Sequence, residues 1–449
     1  MSPQRSSITS SPFFYGWIIA ILSFVALLAS MGIRTSFGAY VTPWEETFAA
    51  TRGQVSLISF VGLIVYGLGM PVAGRLSDKY GPRFVLTWSM VFMGVSLAVA
   101  YLAQNIWQLA FLYGILASIG FAGASNVTVS VAIVKWFKEK RGFVLSMTVT
   151  GMAAGQMLLV PVSIFMISAL DWRLTLLIFG LVYLIVLTPI FWLLYRDAPQ
   201  AMGLRPYGEK DEAVKKEAAS SGAEATEGSE SEQTHALPQD AVTQPAQEAS
   251  VWALLRHPVA WMFLFPYFIC GFTDVGLIHT HLIPLTEGRG FSPQLIATVM
   301  SLYAAVNIVA TLIVGYMTDR FRLTTLLGTL FLVRASGITL LYFTHDPVLL
   351  IAYGILGGLT DFATIAPFTA LCAKIYGSHR VGVVFGTFSL FHQFGAAAGS
   401  LVPGLMYDRF TNYDAALLLC ISLLLISAIV IWFIREEQQS RRFNREATA

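Results

Sequence analysis

Apolar residues run through this chain in long stretches, and the polar residues gather in short gaps between them. A helix that crosses the roughly 30 Å core of a bilayer needs about 20 apolar residues. Laid along the sequence, that ruler predicts twelve spans. The first six fall at 15–42, 54–77, 84–104, 107–134, 142–168 and 172–195. The second six fall at 257–285, 293–318, 324–344, 348–376, 381–407 and 413–435. The gaps carry charge or turn signals, among them Asp78-Lys79-Tyr80-Gly81-Pro82, Lys138-Glu139-Lys140-Arg141-Gly142, Asp346-Pro347 and Asn412-Tyr413-Asp414. Residues 1–14 are polar and show no cleavage pattern, so span 1 is expected to be a retained anchor.

The pattern changes between Tyr207 and Ser250, which is rich in Glu, Ala, Ser and Gln and almost free of aromatics. Such a stretch cannot bury a core. It predicts a largely disordered linker at 196–256 between a six-span bundle at 15–195 and another at 257–435, flanked by a terminus at 1–14 and a tail at 436–449. Lys and Arg sort by side. Most of the 28 lie on connections that share a side with the N-terminus, while Arg52, Arg173, Arg289 and Arg409 lie on the other and Arg34 and Arg334 fall inside spans. Both termini are therefore expected in the cytoplasm, with the chain in the cell membrane.

Composition closes off other classes. Of 449 residues 12% are charged, about half the share in a soluble domain, which is roughly 25%. The formal charge of +2 signals no nucleic-acid partner. Cys270, Cys372 and Cys420 each sit in an apolar run, with no metal-ligand, redox or disulfide spacing. No phosphate-binding glycine loop and no nucleophile–base arrangement occurs, so neither a nucleotide, a cofactor, a metal nor an enzyme activity is expected.

The chain also repeats itself. Gly74-Arg75-Leu76-Ser77-Asp78-Lys79 follows span 2 and Gly315-Tyr316-Met317-Thr318-Asp319-Arg320 follows span 8. Pro43 and Pro284, Gly142 and Gly382, and Gly155 and Gly395 recur at nearly the same offset. Two six-helix halves related by an axis along the membrane normal are a plan of secondary transporters, whose halves rock about a midplane site.

The first copy, Gly74 to Arg83, resembles the loop signature of the major facilitator superfamily, and the second keeps Gly315, Asp319, Arg320 and Arg322. The resemblance implies an all-α fold of 12 transmembrane helices in two pseudo-symmetric bundles, with spans 1, 4, 7 and 10 lining a cavity. It also implies that Gly74, Asp78, Arg83, Gly315, Asp319 and Arg320 form a conformational latch. Tyr15-Gly16-Trp17, Gly32-Ile33-Arg34-Thr35-Ser36-Phe37-Gly38 and Lys135 to Gly142 are similar to segments of the monocarboxylate porters and their bacterial oxalate–formate exchanger-like relatives. Those porters carry a charged residue in helix eight, where Ser301 to Asn307 here has none.

Ionisable groups inside a span cost about 2.5–3.5 kcal/mol each on insertion scales, so they are expected to be paired or functional. Arg34 and Asp274 fall at related repeat positions. A guanidinium suits a carboxylate, so Arg34 is expected to bind an anionic head, with Asp274 beside it and His279 nearby as proton-coupling groups. Arg334 and Asp361, on consecutive spans at similar depth, are expected to form a structural ion pair. His392, Asn126, Gln156, Asn307 and Gln393 complete the candidate substrate-binding set, and His281 approaches the outer vestibule. Gly151-x-x-x-Gly155 and Gly395-x-x-x-Gly399 are small faces expected where the halves slide. The expected function is proton-coupled transport of small organic anions, monocarboxylates by resemblance, in a monomer. Anion exchange, efflux of amphipaths and a non-transporting receptor of the same fold are the alternatives.

Overall fold

The computed structural model describes residues 14–208, 258–376 and 381–434. The linker between 209 and 257, the residues before Phe14 and those after Ile434 lie outside the described set. Apart from one bridge between Phe137 and Tyr207, regular structure within it is helical. Eleven helical stretches are long and apolar enough to cross a membrane: Gly16–Phe48, Arg52–Tyr80, Pro82–Ala100, Ile106–Trp136, Arg141–Leu170, Trp172–Leu194, Ala260–Gly288, Pro293–Thr318, Leu323–Phe343, Pro347–Tyr376 and Asp414–Trp432. Val381–Phe410 supplies the remaining span, the eleventh in chain order. Large apolar side chains face outward, with Phe165 and Val348 73% and 74% exposed. In water that surface would be prohibitive, and lipid is the solvent that suits it.

The polar gaps become helix caps. Thr51 and Gln54 form a capping box at the start of span 2. Ser292 and Asp346 cap spans 8 and 10 ahead of Pro293 and Pro347, where proline's missing N–H costs nothing. Gly81 turns the chain between spans 2 and 3 at φ +88°. A Cβ there would meet the Asp197 carboxyl, so the position requires glycine twice over.

Spans 1, 4, 7 and 10, which correspond in pairs under the repeat, have interrupted α-helices, and span 6 carries a π-helical stretch at Val182–Leu187. Span 1 turns at Ser36, whose hydroxyl, like that of Thr35, bonds back to the Gly32 carbonyl. Span 4 breaks at Ala124–Ser125, span 7 widens to a π-helix over Phe272–Ile278, and span 10 loosens between Gly358 and the 3-10 turn Phe362–Thr364. Such irregularities frequently mark functional sites.

The repeat persists in the packing. Gly151 and Gly155 lie against the carbonyls of Phe24 and Leu28, and Gly395 and Gly399 against those of Phe268 and Phe272. These faces seat span 5 on span 1 and span 11 on span 7, within each half rather than on the surface where halves slide. The spacing predicted close approach, and the partner turns out to be local.

Hydrogen bonds join the halves, among the described residues, from mid-depth to the face that carries the odd-to-even connections. There Arg52 pairs with Glu45 of its own half and donates from Nη1 to the Tyr413 hydroxyl at 2.8 Å. Its guanidinium also lies 4.4 Å from the Tyr407 ring centroid. His281 Nε2 donates to the Ser400 carbonyl at 2.7 Å, leaving Nδ1 to accept from Tyr413 at 3.0 Å. Asp408 receives the Gly53 N–H at 2.9 Å and Glu287 the Thr42 hydroxyl at 2.8 Å. At the opposite face Asp78, Lys79, Asp319 and Arg320 are exposed, and among the described residues these four make no hydrogen bond across the halves. The described residues thus close the odd-to-even face.

Candidate functional site

A polar cluster lies buried at the irregular parts of spans 7 and 10. Arg334, reaching in from span 9, donates from Nη2 to Asp274 Oδ2 at 3.4 Å, to the Asp361 carbonyl at 3.1 Å and to the Thr360 carbonyl. Its Nε meets Thr360 Oγ1 at 3.3 Å, and Nη1 meets the Cys270 carbonyl and sulfur at 3.4 and 3.2 Å. The expected Arg334–Asp361 pair is therefore corrected. The carboxylate partner is Asp274, because loosening of span 10 offers Arg334 the main chain of Thr360 and Asp361 instead of the aspartate's side chain.

The Asp361 carboxylate turns the other way. Oδ2 accepts from Asn307 Nδ2 at 2.8 Å, and Oδ1 lies 3.5 Å from His279 Nε2. The same nitrogen is 4.0 Å from Asp274 Oδ1 and 3.4 Å from the Gln156 amide nitrogen. Four buried atoms here have no hydrogen-bond partner: Asp274 Oδ1, Asp361 Oδ1, His279 Nδ1 and Gln156 Oε1. Asp274, His279 and Asp361 bring potential ligand atoms within 4.8 Å of one another. A cation could sit among them, but the positive charge of Arg334 against Asp274 works against a divalent ion. A proton is the better fit.

Arg34 belongs to a separate wall. Its Nη2 points at Met31 sulfur, its guanidinium lies 4.3 Å from the Tyr66 ring centroid, and its Nη1 is buried without a partner. No ion pair to Asp274 forms, because Asp274 is taken by Arg334. Arg34 shares with Ser59, Tyr113, Phe121, His279 and Thr280 a cavity of about 30 Å³. At the roughly 10–15 Å³ that one water requires, it has room for two or three water molecules.

Comparison with known proteins settles the framework. The model of the Major Facilitator Superfamily matches residues 22–292 and 268–449. The chain belongs to this superfamily. It is a multi-pass membrane transporter and not an enzyme. Among its relatives, the uncharacterised MFS-type transporter YcxA of Bacillus subtilis is 23% identical over 92% of this chain and 94% of its own. Monocarboxylate transporter 13 of Bos taurus is 21% identical over 93% and 88%. Solved structures share the fold. A bacterial homologue of the human lysosomal transporter Spinster, inward-facing and unoccupied, superposes with TM-score 0.73 at 14% identity over 97% of this chain and 98% of its own. A D-xylose–proton symporter superposes with TM-score 0.70 at 13% identity over 94% and 98%.

The residues of the superfamily's loop signature make local contacts. Arg83 attaches to span 6, donating to the Trp192 carbonyl, while its own N–H is capped by Asp197 at 2.8 Å. Arg320 stacks over Tyr316 of its own helix. A Cβ at Gly74 would meet only Val127, and at Gly315 nothing. Among the described residues no bond of Asp78, Arg83, Asp319 or Arg320 crosses between halves. Of the other expected donors, Gln156 reaches the cluster and Asn307 is absorbed into holding Asp361. His392 lies tilted against the Tyr267 ring, with centroids 4.8 Å apart, while Gln393 packs against Gly67 and Asn126 is exposed at the head of its helical segment. Sequence reasoning missed Tyr66, Thr360 and the seal formed by Arg52, Tyr407 and Tyr413. Arg52 was visible as a rare basic residue on its side, but its partners carry no repeat or motif.

Proposed function

We propose that this transporter carries small organic anions, monocarboxylates in particular, with the proton as coupling ion. The observation that supports it most is Arg34 Nη1, a buried cationic donor with no partner, facing a cavity that His279 also lines. A buried donor of that kind calls for an acceptor, and a carboxylate supplies one with matching charge. Charge counting supports the coupling. With a proton on one of the two carboxylates, Arg34 and Arg334 leave one positive charge for a substrate carboxylate to balance. Once proton and substrate have both left, Asp274 and Asp361 balance the two arginines, so loaded and empty forms can both turn over without stranding charge at mid-depth. Asp274 and His279 are the groups within reach of that proton. Resemblance to the monocarboxylate transporters points the same way. With both termini in the cytoplasm of a cell-membrane protein, the sealed face is the outer one.

The test is uptake of labelled lactate into proteoliposomes, with and without an inward proton gradient, for the wild type, Arg34→Lys and Arg34→Ala. Gradient-stimulated uptake is expected, reduced at least tenfold by Ala and partly kept by Lys. Full activity of Arg34→Ala would remove the anchor role. Uptake that ignores the gradient but responds to carboxylate inside the vesicles would replace symport with exchange.

A further inference from the structure

Asn307 makes more bonds than a cavity donor needs. Its Oδ1 accepts the Phe362 main-chain N–H at 3.1 Å and the Thr311 hydroxyl at 3.2 Å. A main-chain N–H can only donate, so the amide orientation is fixed and Nδ2 must be the atom that faces Asp361 Oδ2 at 2.8 Å. That oxygen is therefore an acceptor. The Asp361 carboxyl is 1% exposed as a residue, and among the described residues no Lys or Arg nitrogen lies within 4.0 Å of it. Arg334 spends its bonds on Asp274 and on carbonyls. A buried carboxylate held only by neutral donors is costly to keep ionised. With Oδ2 engaged as acceptor, the free seat for a proton is Oδ1, which has no partner and faces His279 Nε2 at 3.5 Å.

We infer that Asp361 is a second carboxylate of the coupling site, carrying its proton on Oδ1, and that Asn307 is the positioning residue that presents it. The inference rests on the proton-coupled reading for its role in transport, but not for the proton itself. Asp274 shares this site and its own Oδ1 is equally without a partner, but Arg334 stands 3.4 Å from its Oδ2, whereas among the described residues Asp361 has no such cation against its carboxyl. Around it stand Asp274 and His279 on span 7, Arg334 on span 9, Arg34 on span 1, and Tyr303 and Tyr353 on spans 8 and 10. Asn307 also ties the carboxylate to the Phe362 N–H at the loosened part of span 10, so movement of that segment during transport would carry the proton's seat with it.

Two measurements on the purified full chain separate the parts. Infrared spectroscopy at neutral pH reads the carbonyl stretch of a protonated carboxylic acid directly. The wild type is expected to show such a band and Asp361→Asn to lack it. A band unchanged in Asp361→Asn, or no band in the wild type, overturns the assignment whatever the transport data say. In proteoliposomes, Asp361→Asn mimics the protonated state. It is expected to keep counterflow across vesicles without a gradient while losing gradient-driven accumulation at least tenfold. Retained accumulation would remove Asp361 from coupling, whereas a wild type that never responds to a gradient would sink the proton-coupled reading instead. Asn307→Asp sets a carboxyl group 2.8 Å from Asp361 Oδ2, where a proton must be shared. Its uptake profile is expected to move to higher pH by about one unit, a tenfold change in proton affinity, with thermal stability near wild type. An unmoved profile at that stability would leave Asn307 a structural residue only.

Discussion

At the scale of single residues, the charges inside the membrane were legible, but their pairing was not. Arg34, Asp274, Arg334 and Asp361 stand out in any apolar run because lipid tolerates so few of them. Who pairs with whom depends on a few ångströms of main chain. The loosened segment after Gly358 gives Arg334 the carbonyls of Thr360 and Asp361 and leaves the Asp361 side chain to Asn307. No hydropathy pattern encodes that turn. The pairing can be checked. Arg334→Leu strands the Asp274 carboxylate, a loss on the order of 3–5 kcal/mol for a broken buried pair. Thermal unfolding in detergent should drop by several degrees, and adding Asp274→Asn should recover much of it. Adding Asp361→Asn should not; recovery by that change would restore the pairing expected from the sequence.

Among the elements, hydropathy located all the spans, and the repeat found the glycines that let them pack. What it could not show was which surface those glycines serve. Gly155 abuts the Leu28 carbonyl and Gly395 the Phe268 carbonyl, both closer than a Cβ could sit. Gly142, near the start of span 5, has nothing within 4 Å of that position. Gly155→Ala is thus expected to destabilise by about 1–3 kcal/mol through overpacking. Gly142→Ala is expected to be neutral or to stabilise by up to about 1 kcal/mol, as alanine does in a helix. Equal unfolding temperatures for the two variants would contradict the packing of span 5 on span 1. The interruptions of spans 1, 4, 7 and 10 were likewise invisible in a scan for length and apolarity. Their causes are short-range, such as the Thr35 and Ser36 hydroxyls turned back on Gly32.

For the whole molecule, the seal at the odd-to-even face is the feature that sets which side the site can see. Arg52 holds it by charge, stacking and a hydrogen bond, all converging on Tyr407 and Tyr413. Tyr413→Phe removes the hydroxyl that joins Arg52 to His281, and Arg52→Ala removes the cation. Spin labels at Gln54 and Arg409, both exposed beside the seal, would report the result by pulsed dipolar distances. Both variants should raise the population of longer distances, Arg52→Ala the more, by about tenfold for each 1.4 kcal/mol lost. An unchanged distribution would mean that the seal rests on packing between Gly53, Ser56 and Gly404 instead.

The interrupted spans have one more consequence, for time rather than affinity. Where a helix gives up its own hydrogen bonds at depth, the main chain depends on side chains to replace them, as Phe362 N–H depends on Asn307 and the Thr360 carbonyl on Arg334. Those replacements loosen whenever the site changes hands, and amides open to solvent at a rate set by such local openings. Deuterium incorporation into residues 358–364 should therefore run faster during turnover than at rest, while the unbroken neighbours Pro293–Thr318 and Leu323–Phe343 keep their pace. The transport cycle would then keep its own clock in the backbone, readable without any label.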